Sequence, residues 1–553
     1  MSIGWRKSMF IAMRGASRLW ILPTALAAAV VAVPLLAVIV ASLMPAGEVW
    51  RHLRETLLAS YIGNSLLLMA LVGLLALILG VTSAWLVAAC RFPGRKILSW
   101  MLVLPLAAPA YVVAYAYTDL LEVSGPLQNL IRNLLGLGIE DWQLTGIRSL
   151  PGAAVLLALV LYPYVYLLAR ASFAARSGAQ FEAARTLGHS PFAAFRRVAL
   201  PAARPAIAAG LALVLMETLA DFGVVDYFGV PAFSTGIYRT WIGFGDRAAA
   251  MRLAGLMLLF VLILVTLESL SRKGQPHAGD YRQAASLRLE GLQAAAATTF
   301  CLVPVLLGFL VPVGVLLWHK FRSGGDQLFG RGFLDYLANS VSVSVAAALI
   351  ATLLALLLGY SQRLRQGAAS STLIRIATLG YALPGVLLAI GLLGPLGFVD
   401  RTLTEWLRDT TAYSGGLLLS GTTAILVYAY VCRFLTVSFN SVQSGFEAIS
   451  PAMDAAARSL GASPGGVVRR VHLPMLTPSL SAAALLVFVD AMRELPATLM
   501  LRPFNFDTLA TRVYQLASDE RLGEASTAAL CIVLVGIVPV LLINRIGSGS
   551  RGA

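Results

Sequence analysis

Twelve runs of apolar residues, each long enough to cross a bilayer, limit what this chain can fold into. A spanning helix takes about 20 consecutive apolar residues. The runs fall at about 19–43, 61–89, 97–118, 149–171, 204–222 and 251–270, then at about 292–318, 338–360, 373–397, 416–439, 478–501 and 525–545. Hydrocarbon offers no partner to a backbone N–H or C=O, so segments of this length and composition must become helices. The chain is 58% hydrophobic and only 12% charged, whereas a soluble domain carries about 25% charged residues. The expected fold class is therefore an all-α polytopic membrane protein of about twelve transmembrane helices.

Arg6, Lys7, Arg14 and Arg18 precede the first run, Leu19 to Leu43, as in a signal peptide. The run exceeds a signal h-region of about 7–15 residues, so it reads as an uncleaved first span. Net charge is +15, which in a soluble protein would suggest a nucleic-acid partner. With both termini in the cytoplasm, however, the Lys and Arg excess falls on alternate loops, all cytoplasmic, as the positive-inside rule requires. The basic charge is then a membrane address, and nucleic acid drops out as a partner. Cys90, Cys301, Cys432 and Cys531 lie in or beside apolar runs without a C-x-x-C pair, so neither a disulfide framework nor a metal site is expected.

The chain repeats itself. EAARTLGHSPFAAFRRVALPAARPAI, Glu182 to Ile207, matches AAARSLGASPGGVVRRVHLPMLTPSL, Ala455 to Leu480, at an offset of 273 residues with 13 of 26 positions identical. Both segments fall in the cytoplasmic loop between the fourth and fifth runs of a six-run set. Asn64-Ser65 echoes Asn339-Ser340, and Leu104-Pro105 echoes Leu383-Pro384. Two homologous six-helix halves follow, 1–271 and 289–553, joined by a polar cytoplasmic linker at 272–288. Within the loop, Ala183, Ala184 and Arg185 favour a short helix that Gly188 can end in the left-handed conformation. Ser190-Pro191 supplies an N-cap with proline in first position. The second helix carries Arg196 and Arg197 and is expected to stop near Pro201. The second copy repeats these signals with Gly461, Ser463-Pro464, Arg469, Arg470 and Pro474. Each loop is thus predicted to be a helix-turn-helix. Its small residues admit a close partner backbone and its arginine pair suits an acidic rim. Amphipathic helices lying on anionic lipid are the plainer alternative, but lipid does not demand a fixed Gly, Ser-Pro and Leu-Pro pattern twice over.

This pattern resembles the EAA loop of binding-protein-dependent ATP-binding cassette importer permeases, whose coupling helices dock in a groove of each ATPase. The resemblance implies docking by Glu182, Ala183, Ala184 and Gly188, and by Ala456, Ala457 and Gly461 in the second copy. There Ala455 stands in the place of Glu182, with Asp454 one residue earlier. Met216 to Trp241 and Arg493 to Leu522 look like the fused permeases of ferric-iron importers; thiamine and phosphonate permeases are related alternatives. The implied partners are two ATPase subunits and a periplasmic binding protein, in the inner membrane of a bacterium.

Glu217 and Asp221 in the fifth run recur as Asp490 and Glu494 at the same offset. Ionisable residues at membrane depth are functional candidates, and spacing of four puts each pair on one helical face. A cation pathway is one reading, for which a hard trivalent ion would favour oxygen ligands. An ion-pair role is the other, with Arg493, Arg239, Arg247 or Arg252 as counter-charges. Tyr227, Tyr238, Asp226 and Asp246 read as interfacial groups or binding-protein contacts, and Asn64 and Asn339 as caps or interhelical hydrogen bonds. No G-x-x-x-x-G-K-[ST] loop, nucleophile elbow or dinucleotide fingerprint occurs, and the five histidines are scattered. The chain is expected to be no enzyme and to hold no cofactor or metal of its own. An ion-coupled secondary transporter would also have twelve spans in two halves, but it needs no duplicated docking loop.

Overall fold

The computed structural model describes residues 21–45, 47–141, 146–175, 184–272, 287–322, 332–364, 367–411, 414–416 and 418–549. Among them eleven helices are long and apolar enough to cross a membrane, or twelve if one bent pair counts as a span. The chain is an all-α polytopic membrane protein. The basic N-terminal residues and most of the expected linker lie outside the described residues.

Helices close-pack here through small side chains, as expected where lipid removes the hydrophobic drive for association. The buried face of Leu58–Ala89 carries Ser65, Val72, Gly73, Ala76, Gly80, Ser83 and Ala84, while Leu66, Leu67, Leu74 and Ile78 point outward. A Cβ at Gly80 would lie 2.7 Å from the Val165 Cβ, and one at Gly210 would lie 2.8 Å from the Val165 Cα. Two helices therefore approach Leu150–Ala175 at one residue, closer than alanine would allow.

Contacts group the chain differently from the sequence repeat. One unit comprises Met1–Pro45 with Asp335–Thr508, the other Ala46–Leu334 with Leu509–Ala553. In the first, the helix Ile21–Leu43 packs on Ala368–Ala377 and Gly385–Thr410. Pro34 inside that helix has no N–H for the Val30 carbonyl, which instead accepts the Tyr428 hydroxyl at 2.6 Å. In the second unit, Tyr117 likewise donates to Leu307 O at 2.6 Å. Leu307 lies in a π turn, Leu306–Leu310, where its next partner would be Pro312. A neighbouring tyrosine thus satisfies a carbonyl that a proline strands, a compensation that hydrocarbon makes obligatory.

Pro105, Pro109 and Pro384 are expected from the sequence to shape or break the third span of each half. Breaks occur at Pro109 and Pro384, so that the boundaries differ from those of the apolar runs. The third run is broken, Arg95–Ala107 and Ala110–Leu135 meeting at 91°. Its counterpart breaks before Gly385 rather than running from 373. Pro109 and Pro384 precede the resumed helices with nearly identical backbones, φ −56° and ψ 139° against φ −56° and ψ 141°. Ala108-Pro109 is therefore the structural equivalent of Leu383-Pro384, not Leu104-Pro105. Finally, the second helices of the loops do not stop at Pro201 or Pro474 but continue into the fifth spans as Pro191–Ala220 and Gly465–Met492.

Candidate functional site

Each repeated segment folds as a short helix, a tight turn and a second helix continuous with a span. Glu182 and Ala183 lie outside the described residues. From Ala184 onward, Gly188 takes φ +87° and His189 N–H donates to Ala184 O at 3.2 Å. Gly461 takes φ +83°, and Ala462 N–H donates to Ala457 O at 3.1 Å. Ser190 Oγ accepts from Ala193 N at 3.2 Å and Ser463 Oγ from Gly466 N at 3.2 Å. Pro191 and Pro464 open the second helices. Two sequences half identical thus build one turn, since glycine alone enters the left-handed region at little cost.

The second helix enters the membrane through a π turn in both copies, Phe195–Ala199 and Val468–His472. Leu200 N–H reaches Phe195 O, and Leu473 N–H reaches Val468 O. Each turn lies just before the Leu-Pro pair, where an unbroken α register would set the proline ring against the carbonyl four residues back. That is why the helix passes Pro201 and Pro474. Arg196, Arg197, Arg469 and Arg470 all lie on these turns and are exposed, as are Gly188, Ala456 and Gly461, with Ala457 half-buried. Composition alone did not mark the apolar tip: Leu187 and Leu460, at the repeat offset, are 80% and 87% exposed. A leucine identical in both copies and next to the turn glycine was the available signal.

Asp454 behaves differently. Its carboxylate is buried, accepting from Arg363 Nε at 2.7 Å and facing His472 Nε2 at 2.8 Å. It faces its own unit rather than an exposed rim. Burial pushes its carboxyl up, but the hydrogen bonds from Arg363 and His472 outweigh that and hold it below its usual range.

The four fifth-span carboxylates divide between the units, Glu217 and Asp221 in one, Asp490 and Glu494 in the other. Asp221 accepts from Val224 N at 3.1 Å and Val225 N at 3.2 Å, capping the short helix Gly223–Tyr227. At the equivalent position Glu494 accepts from Ala497 N at 3.2 Å, capping Pro496–Leu501, and from Arg433 at 2.9 Å. Asp490 pairs with Arg493. Glu217 is half-buried. Arg239 is engaged with Asp226 at 3.1 Å, and Asp226 also accepts the Tyr514 hydroxyl at 2.6 Å. Tyr227 packs edge-to-face with Tyr115, the ring centroids 4.5 Å apart. Asp246 caps Arg247–Arg272 through Ala249 N at 2.9 Å. Asn64 donates to Pro231 O and Asn339 to Asp507 O, both at 3.0 Å. Among the described residues no cluster of three or more His, Cys, Asp or Glu is placed to hold a metal.

Residues 76–270 match the family model described as binding-protein-dependent transport system inner membrane component. The chain is 26% identical to the Fe(3+)-transport system permease protein FbpB 2 of Haemophilus influenzae, over 88% of this chain and 90% of that protein. It is 22% identical to the ferric transport system permease protein FbpB of Actinobacillus pleuropneumoniae, over 91% of this chain and 73% of that protein. The permease protein PhnV of Salmonella typhimurium, whose name refers it to 2-aminoethylphosphonate transport, is 30% identical over 45% of this chain and 92% of its own length.

Proposed function

The chain belongs to the family of binding-protein-dependent transport system inner membrane components, and from that premise we propose that it is the fused permease subunit of an ATP-driven importer of ferric iron. It is a multi-pass inner-membrane transport component. The observation that carries the iron reading is the similarity to ferric permeases along 88% and 91% of the chain. The similarity to PhnV over about half the chain favours 2-aminoethylphosphonate as the second reading.

In this reading a periplasmic binding protein delivers the substrate outside. Two separate ATPase subunits dock inside, one on each helix-turn-helix, and both termini are cytoplasmic. The docking surfaces run from Glu182 to Pro201 and, beyond the buried Asp454, from Ala455 to Pro474. The left-handed glycine aims the second helix, the exposed leucine and small residues fill the ATPase groove, and the arginines meet its acidic edge. The π turn makes that helix continuous with a span, so a displacement of the ATPase is transmitted along one rigid rod. Asp221, through two backbone donors, and Glu494, through one together with Arg433, fix the short helices beyond the fifth spans. Glu217 is the candidate for contact with a passing cation.

The test reconstitutes the chain with its ATPase and binding protein in vesicles and measures ATP-dependent uptake of ferric iron and of 2-aminoethylphosphonate. Iron uptake that disappears when both turns are deleted, together with ATPase co-purification, is expected. Uptake of the phosphonate and not of iron would overturn the substrate. Undiminished ATPase binding without the turns would overturn the docking assignment.

A further inference from the structure

The two turns share a backbone, yet different chemistry holds them to their spans. In one unit the support is aromatic and apolar. Phe195 of the π turn lies 4.6 Å from Trp85 and 6.2 Å from Phe173, and these two rings are 5.4 Å apart. Ala184 and Ala194 are buried against Trp85, Val198 and Leu287. In the other unit Tyr360 and Phe446 occupy the places of Trp85 and Phe173, at offsets of 275 and 273 residues. The ring between them is His472, 5.4 Å from Tyr360 and 5.3 Å from Phe446. The first copy has Ala199 there, and Phe181 in the place of Asp454.

His472 brings a charged cluster with it. Its Nε2 meets Asp454 Oδ1, and the other oxygen of Asp454 accepts Arg363 Nε. Arg363 also donates to Asp454 Oδ1 at 3.2 Å, to Phe446 O at 2.7 Å and to Ile449 O at 2.9 Å. One guanidinium at the end of Phe333–Leu364 thus ties the last carbonyls of Thr423–Ala448 to the first turn of Pro451–Ser459. His472 is fully buried and Asp454 nearly so.

We propose that Arg363, Asp454 and His472 are positioning residues that lock the second docking turn to its membrane helices, so that the two ATPases are coupled through unlike joints. This rests on the reading of the turns as ATPase docking sites. Apolar contact is non-directional and tolerates sliding. A two-pronged guanidinium–carboxylate contact fixes orientation as well as distance, and inside a buried site its loss leaves a charge uncompensated. The second turn is the stiff one.

The full chain, with and without its ATPase, is compared with Asp454→Asn, Asp454→Glu and His472→Ala by amide hydrogen exchange and by substrate transported per ATP hydrolysed. Asp454→Asn is expected to speed exchange across 451–463 at least tenfold while leaving 184–194 unchanged. It should lower transport per ATP several-fold at undiminished ATPase co-purification, with partial rescue by Asp454→Glu. His472→Ala restores the first copy's residue and keeps the Arg363–Asp454 pair, so it serves if Asp454→Asn does not accumulate; a smaller effect confined to the same turn is expected. Unchanged exchange at 451–463, an equal rise in both turns, or an unchanged transport-to-ATP ratio would overturn the lock. Exchange on the chain alone needs no ATPase. Wild-type chain that binds no ATPase would therefore defeat the docking reading while the exchange result still judged the lock.

Discussion

At the scale of single residues, the turn glycines give the sharpest expectation. A Cβ at Gly188 or Gly461 would meet nothing within 4 Å, so the need for glycine comes from φ +87° and +83° alone. Alanine there costs about 1 kcal/mol, too little to unfold the protein but enough to reaim the second helix. Gly188→Ala should uncouple ATP hydrolysis from uptake more than it lowers membrane abundance; both quantities measured on one preparation decide it. Asp454 adds a pH dependence. Its folded-state carboxyl lies below the usual range, so its stabilisation is fully present above about pH 4 and is lost as pH falls through the lower folded value. The groups facing it are Arg363, His472 and Tyr360, and Arg458 in turn faces Tyr360. Protection of the amides at 451–463, corrected for the pH dependence of the intrinsic exchange rate, should therefore fall on acidification before that at 184–194. For Glu217→Gln with Asp221→Asn, the amide keeps the cap on Val224 and Val225, so abundance should hold while iron uptake falls. Full uptake would remove Glu217 from the pathway. The offset aligns these carboxylates between the copies, but the expected shared helical face does not form, because the fifth helices end at Ala220 and Met492 and leave Asp221 and Glu494 beyond them. Sequence could not show that one oxygen of Asp221 and one of Glu494 accept from backbone N–H groups, because a cap depends on where the helix before it ends.

At the scale of elements, the spans were legible because hydrocarbon length and backbone satisfaction leave a long apolar run no other choice. The prolines were legible in part: those of the third spans read as breaks, and the helices do break at Pro109 and Pro384. Pro201 reads as a stop in any window of sequence, yet the π turn just before it carries the helix through. Pro105 and Pro109 look alike in sequence, and only the backbone identifies Pro109 as the partner of Pro384. Whether a proline ends, kinks or merely widens a helix depends on who takes the freed carbonyl. That gives a test at Tyr428, whose hydroxyl takes Val30 O. Tyr428→Phe leaves Val30 O only the weak Cys432 thiol donor at 3.8 Å and should cost about 1 kcal/mol in detergent unfolding. Pro34→Ala restores the helical N–H, so the double variant should lose less than the sum of the two single ones.

At the scale of the whole molecule, the repeat delimits halves that the contacts do not respect. Each unit takes helices from both sequence halves. This was not legible because offset counting measures ancestry in the sequence and says nothing of which helix packs on which. Residues 46–272 expressed alone lack Gly291–Arg322 and Leu522–Gly549, which belong to the same unit. They should be degraded rapidly. Co-expression with 273–553 should restore protease resistance, and a stable isolated fragment would contradict the grouping. The same exchange sets a timetable for biogenesis. Ile21–Leu43 leaves the ribosome roughly 300 residues before Ala368–Ala377, on which it packs. At about 5–20 residues per second, that is tens of seconds in which a newly inserted helix has lipid or an insertion chaperone for company, and neither of the two helices on which it packs.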